Sequence, residues 1–226
     1  MNLIFSVIIL LLTFGHSEGQ KLIFKDSFNY PSGELPAQYW SEGCPGIIKD
    51  GHLSVDADTA GLRQSTIWLD KELSGDLIIE CDVHVVSSVD AANNINFMLL
   101  YSDPENKSLR ESRIKRSTAT YNSYHNLNGY IFTYLSNGTP DTARFRFRDN
   151  PGFNLVEEVK GFECKAGKTY HIKIIKTGDR FQFWSNGFKA IDIVDDRFNS
   201  LHPKGYFGFR TWHTALWWDN LSITSK

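Results

Sequence analysis

The chain has 226 residues, of which 41% are hydrophobic, 14% aromatic and 22% charged, with a formal net charge of −2. So much apolar area excludes a disordered chain, and 24 basic against 26 acidic residues leave no field of one sign for a general nucleic-acid binder. The sixteen Phe, nine Tyr and six Trp must be placed in a core or on a ligand platform.

Residues 3–14 form a short apolar run, below the roughly 20 residues that a membrane span needs. Ser17-Glu18-Gly19 follows, with small residues at the −3 and −1 positions of a cut before Gln20. Residues 1–19 therefore read as a secretory signal peptide. The mature chain, 20–226, is expected as a single domain, secreted or periplasmic, monomeric and without a membrane span. Of three cysteines, Cys81 lies inside an apolar strand pattern. Cys44 and Cys164 are flanked by turn residues and are the better candidates for a disulfide.

From residue 21 onward, β-branched and aromatic runs recur between Gly, Pro, Asn and Asp. Strands are predicted at 21–28, 47–55, 63–69, 76–86, 94–101, 129–136, 143–149, 169–177, 179–185, 188–194, 204–212 and 216–224. Asn186-Gly187 marks the clearest hairpin, because both residues tolerate positive φ. About a dozen antiparallel strands imply a two-sheet sandwich, an all-β fold. Trp40, Trp68 and at least one of Trp217 and Trp218 are expected in its core. The polar segment 103–122 is too long for a hairpin turn and reads as an excursion from the sandwich.

The stretch from Tyr121 to Phe153 carries the most chemistry. Arg144, Arg146 and Arg148 alternate with Phe145 and Phe147, so a strand sets three guanidinium groups about 7 Å apart on one face. Carboxylates on neighbouring strands, solvent or an anionic ligand can compensate them. Tyr121, Tyr124, His125, Asn126, Asn128, Tyr130 and Tyr134 precede this row. Flat rings and amide or imidazole groups are what a sugar recruits. His125 is the best candidate for acid or base work, since both its protonation states are accessible near neutrality. Near the C-terminus, Trp212 and His213 sit at a turn and could line a rim.

No Gly-x-Ser-x-Gly elbow, His-Glu-x-x-His or phosphate loop occurs, and there is no Glu-x-Asp-x-x-Glu strand to supply paired catalytic carboxylates. Asp26 in the first strand and Asp219 in the last could meet and hold a structural calcium. Calcium needs further oxygens, however, and two turn or edge carboxylates are the favoured reading. No other cofactor is indicated.

The segments LIFKDSF, DGHLSV, STIWLDKELSGDLIIECDV and GYFGFRTWHTALWWDNLSI resemble the concanavalin-like jelly rolls of bacterial carbohydrate-utilisation proteins. Asn122–His125 (NSYH), the arginine strand and Asn150–Phe153 (NPGF) resemble the YesU-like proteins. A more distant similarity is to the 3-keto-disaccharide hydrolase domain. The resemblance covers residues 21–224. It implies a jelly roll, a polysaccharide or oligosaccharide partner, and Tyr124, His125, Arg146, Arg148 and Asn150 in a concave groove.

Two functions are consistent with these residues. One is a lyase or glycosidase acting on an acidic or modified glycan. There Arg144, Arg146 or Arg148 neutralises a carboxylate and His125, Tyr124 or Tyr130 moves protons, while Asn150, Tyr134, Trp212 and His213 contact substrate. The other is a non-catalytic carbohydrate-binding module built from the same side chains; the blander alternative to both is a structural extracellular domain with a salt-bridged outer arginine row.

Overall fold

A computed structural model describes residues 20–139, 142–196 and 202–226; the proposed signal peptide lies outside the described residues. The strands in chain order are β1 (Leu22–Asp26), β2 (Gly33–Glu34), β3 (Tyr39–Gly43), β4 (Ile47–Lys49), β5 (His52–Asp56), β6 (Gln64–Ser74), β7 (Leu77–Ser87) and β8 (Ile95–Ser102). They continue with β9 (Asn128–Leu135), β10 (Arg144–Asn150), β11 (Asn154–Lys160), β12 (Lys168–Thr177), β13 (Arg180–Ser185), β14 (Phe188–Val194), β15 (Lys204–Trp212) and β16 (Ala215–Ser225). They form two antiparallel sheets packed face to face, the expected jelly-roll sandwich. The nine-stranded sheet runs β14-β13-β12-β7-β16-β5-β4-β2, with β1 also paired to β16. The seven-stranded sheet runs β11-β10-β9-β8-β15-β6-β3.

Period-two alternation explains why these segments pair as they do. Tyr170, Ile172 and Ile174 of β12 and Phe181 and Phe183 of β13 point inward. They meet Phe97, Phe132, Phe145, Phe147, Phe207 and Phe209 from the other sheet. Most Phe thus fill the inter-sheet space, as edge-to-face and offset pairs. The predicted hairpin turns at Asn186 (φ 49°) and Gly187 (φ 77°).

Three elements escape the sequence reading: β2, β3 and β11. Strand β3 is buried on both sides, so YWSEG shows no polar face. The segment 47–55 is a hairpin, β4 and β5, bent at Asp50-Gly51. Cys44 and Cys164 do not pair; all three thiols are free and buried.

The excursion is a cap. Two short 3-10 turns, Glu111–Arg116 and Tyr121–Tyr124, lie over the outer face of the seven-stranded sheet. Leu109, Ala119, Tyr124 and Leu127 pack there on Trp40, Trp68, Met98 and Ile131, making a second core. Trp40 and Trp68 are therefore buried, but outside the sandwich. Gly208 has no side chain because the Trp68 indole crosses it; a Cβ there would lie 2.7 Å from the ring.

Candidate functional site

Strand register assembles a feature that no single segment contains. Across the outer face of the seven-stranded sheet, Glu42 pairs with Thr66, Thr66 with Arg210, and Arg210 with Asn96. Asn96 then pairs with Thr133, Thr133 with Arg146, and Arg146 with Glu158. One polar row thus crosses all seven strands, about 29 Å at roughly 4.8 Å per strand. The adjacent row, Trp40, Trp68, Gly208, Met98, Ile131 and Arg148, is apolar up to its last member and lies under the cap.

At one end of the polar row, Glu42 is a latch. It accepts hydrogen bonds from Tyr124 Oη at 2.6 Å, Trp68 Nε1 at 3.1 Å and Arg116 Nε at 3.1 Å. The Arg116 guanidinium also donates to Leu109 O at 2.6 Å and Ser112 Oγ at 3.2 Å, which ties the cap to the sheet. Tyr124 is thereby a structural residue. Its ring is buried, and burial together with the Glu42 charge pushes its hydroxyl far above the usual tyrosine range.

In the middle lies Arg210, 1% exposed. Its Nη1 donates to Thr66 Oγ1 and Ala119 O, both at 2.9 Å, while Nε and Nη2 have no partner. Among the described residues no carboxylate lies within 4.0 Å of it. Its charge is instead held by ring faces, Tyr121 at 4.5 Å and Tyr124 at 5.0 Å.

Above the row, Tyr121, His125 and Phe153 form an aromatic box. His125 stacks on Phe153 at 3.9 Å, and Tyr121 stands edge-on to both at 5.1 Å. Arg148 closes the box from the far side, its guanidinium 4.0 Å from the Phe153 ring. Burial first, then the charges of Arg210 and Arg148, lower the His125 pKa, so the imidazole is neutral at pH 7. Burial raises the Tyr121 pKa against the pull of Arg210, Arg148 and Arg146, so its hydroxyl keeps its proton. A neutral base and a protonated acid therefore stand side by side. His125 Nε2 is buried and has no hydrogen-bond partner.

The NPGF turn builds this box. Asn150 is fully buried, donates to Tyr101 Oη at 2.7 Å and Tyr124 O at 3.2 Å, and accepts from the Phe153 N–H at 2.8 Å. Gly152 N–H donates to His125 O at 2.7 Å. The NSYH and NPGF motifs are thus fastened to each other, with Phe153 set beneath His125.

At the open end, one carboxylate serves three cations. Glu158 lies 2.5 Å from Arg146, 3.7 Å from Arg144 and 3.5 Å from Lys160. Arg148 donates to Phe153 O at 2.9 Å and has no carboxylate within 4.0 Å among the described residues. The row is salt-bridged in part and keeps a positive surplus.

Of the residues singled out in the sequence, the structure brings together His125, Arg144, Arg146 and Arg148, with Trp212 outward on the same face two residues beyond Arg210. Other positions are corrected. Tyr130 and Tyr134 point into the inter-sheet core, where Tyr130 packs on Phe147 and Phe181 and Tyr134 on Phe145. Tyr124 and Asn150 are locked beneath the surface. His213 is held by Asp90 at a loop beyond the end of β15. Asp26 and Asp219 do not converge. β1 and β16 do pair, but Asp26 faces inward and accepts from Tyr39, Tyr30 and Gln38. Asp219 faces outward, ahead of a bulge at Asn220. The pair does not fit calcium, and among the described residues no group of three or more His, Cys, Asp or Glu could hold a metal. Sequence reasoning missed Glu42, Asn96 and Thr133 altogether.

A family model described as a domain of unknown function, DUF6250, matches residues 59–221. The chain belongs to that family. No curated protein is similar in sequence. Among solved structures, a protein of unknown function with a galectin-like fold from Bacillus subtilis is 16% identical, with a TM-score of 0.71 over 91% of this chain and 97% of that one. The carbohydrate-binding module CBM66 from Bacillus subtilis is 19% identical, with a TM-score of 0.60 over 86% and 100%. A non-specific endo-β-1,3(4)-glucanase of family GH16 is 9% identical, with a TM-score of 0.62 over 92% and 91%. These likenesses bear out the concanavalin-like jelly roll.

Proposed function

We propose that the outer face of the seven-stranded sheet receives an acidic saccharide and that His125 and Tyr121 perform a lyase-type elimination on it. The observation that carries this reading is the aromatic box, in which His125 stacks on Phe153 with Tyr121 edge-on at 5.1 Å, bordered by an arginine row with one shared carboxylate. The carbohydrate-binding and glucanase folds among its structural neighbours support a saccharide as partner. In this reading the protein works outside the cytoplasm after residues 1–19 are removed.

Arg146 and Arg148 would pair with the carboxylate of a uronate, which lowers the cost of charge developing there. His125 then takes the proton beside that carboxylate. The electron pair of the broken C–H bond forms the new double bond, the glycosidic C–O bond breaks, and the departing oxygen takes the Tyr121 proton. Hydrolysis by a carboxylate pair is not supported, because Glu42 and Glu158, the two carboxylates of the row, are committed to Arg116 and Arg146.

The test is incubation with a panel of uronate polymers, followed by ultraviolet absorbance of the unsaturated product. Product from the wild type, lost in His125→Ala and reduced in Tyr121→Phe, is expected. Full turnover in both variants sinks the assigned roles. Binding without product assigns the face to a binding module instead, a reading that the committed carboxylates also fit.

A further inference from the structure

The outer face of the nine-stranded sheet has the opposite character. A cleft of about 650 Å³ opens beside Trp217. Register places Trp217 between His84 of β7 and Ser54 of β5, with His52 two residues along. The two imidazoles brace the indole from opposite sides, His84 at 4.9 Å and nearly parallel, His52 at 4.2 Å. Asp50, Ser54 and Ile47 complete a lining of mixed polar and apolar groups. Its size and chemistry are those of a small-ligand pocket.

A second cleft, about 340 Å³, lies on the same face beside Trp184, with His171, Lys173 and Glu80 in its wall. Register sets the linings of the two clefts along one diagonal of the sheet. His84 shares a row with Trp217 and Thr169; His171 and Asp82 lie two residues on; Lys173, Glu80 and Trp184 two residues further. Trp217, His84, His171 and Trp184 therefore make a diagonal across four adjacent strands, roughly 20 Å long from the strand spacing and rise. Its charges compensate one another. Glu80 lies 3.2 Å from Lys173, and Asp82 lies 2.8 Å from His171 and accepts from Asn220 at 2.8 Å. At the Trp217 end Asp50, Asp56 and Asp219 outnumber Lys49, which leaves a net negative charge that disfavours an anionic chain.

We propose that this face holds a second saccharide site, which takes a neutral, hydroxyl-rich glycan chain laid diagonally from Trp217 to Trp184. Trp217, flanked by the two imidazoles, presents the edge of its indole, and Trp184 a half-buried ring, as apolar surface for sugar C–H groups. Imidazole, carboxylate and hydroxyl groups between them match ring hydroxyls. The site stands whether the arginine face is catalytic or only binds.

The test is calorimetric titration of the full chain with cellohexaose, laminarihexaose, mannohexaose and xylohexaose, and with oligogalacturonate as the acidic comparator. At least one neutral hexasaccharide should bind. Trp217→Ala and Trp184→Ala should each weaken it roughly tenfold, while Trp217→Phe and Arg146→Ala leave it in place. Near-ultraviolet circular dichroism checks that each variant is folded. No binding of any neutral probe, binding untouched by both Trp→Ala changes, or binding abolished by Arg146→Ala would overturn the proposal. Loss of oligogalacturonate binding in Arg146→Ala tests the arginine face separately.

Discussion

Glu42→Ala is the perturbation that most directly probes how the arginine face is held. The Glu42 and Arg116 side chains are 1% and 3% exposed, and their closest approach is 3.0 Å. Removing the carboxylate leaves a buried guanidinium whose remaining partners, Leu109 O and Ser112 Oγ, are neutral. It also orphans Tyr124 Oη and Trp68 Nε1. Breaking one side of a buried ion pair costs about 3–5 kcal/mol. In a chain of this size that lowers the melting temperature by roughly 6–20 °C. Glu42→Gln keeps an acceptor for Arg116 and should lose less. Glu42→Ala with Arg116→Met removes both charges and should recover part of the loss. Urea unfolding monitored by tryptophan fluorescence gives the free energies, and limited proteolysis within 103–127 reports the cap. A Glu42→Ala protein within 1 kcal/mol of the wild type, with the cap equally resistant, would show that the latch does not hold the excursion down.

Five further outcomes follow from the same geometry. Glu158→Gln frees Arg144 and Arg146 from their shared carboxylate, so it should tighten binding of an acidic oligosaccharide and steepen its salt dependence; calorimetry at two ionic strengths that shows weaker binding would contradict the assigned compensation. The His125 imidazole should titrate below the ordinary value of 6.5 by nuclear magnetic resonance, because burial, Arg210 and Arg148 all disfavour its cation. Turnover should therefore rise with pH through that lowered pKa and level off above 6.5. By the same linkage His125's contribution to stability is complete above 6.5 and is lost as pH falls toward the folded-state value, since the unfolded chain binds the proton first. Asn150→Ala should cost about 1–3 kcal/mol through three orphaned partners and should abolish turnover while the sandwich remains folded, read by circular dichroism beside the product assay.

The sandwich was legible in the sequence because most strands face a core on one side only. Tyr170, Ile172 and Ile174 alternate with His171, Lys173 and Ile175, and the inward set is core. The signal failed wherever both faces are covered. In β9, Tyr130, Phe132 and Tyr134 point into the sandwich while Ile131 and Thr133 point to the cap face, yet all five read as strand-forming and buried. Nothing local tells which tyrosines face out, so in the sequence Tyr130 and Tyr134 group with His125. Strand β3 failed in the same way: Tyr39 serves the inter-sheet core and Trp40 the second one. The arginine row was legible because charge on one parity and Phe on the other leave only one orientation for β10. The polar row it belongs to was not. Glu42, Thr66, Asn96, Thr133, Arg146, Glu158 and Arg210 lie far apart in the chain, and only sheet register aligns them.

That origin has a consequence for how the site works. A row built by register is held by the sheet, because each member is fixed by hydrogen-bonded neighbouring strands, on both sides for all but Glu42 and Glu158 at the two edges. The aromatic box above it is not part of any sheet. Tyr121 and His125 belong to the cap and Phe153 to the turn after β10, so their positions depend on fastenings that never touch a ligand. Glu42 anchors one side through Tyr124 and Arg116, and Asn150 the other through Tyr124 O and Phe153 N. Both fastenings act on Tyr124, which lies three residues from Tyr121 and next to His125. Loosening either should move Tyr121 and His125, the proposed acid and base, while leaving Arg144 and Arg146 in place. Binding of an acidic saccharide and turnover should therefore separate: Asn150→Ala and Glu42→Gln lose kcat with little change in affinity, whereas Arg146→Ala loses affinity first. Parallel loss of both in all three variants would mean that cap and arginine row form one cooperative unit, and that the box is not independently positioned.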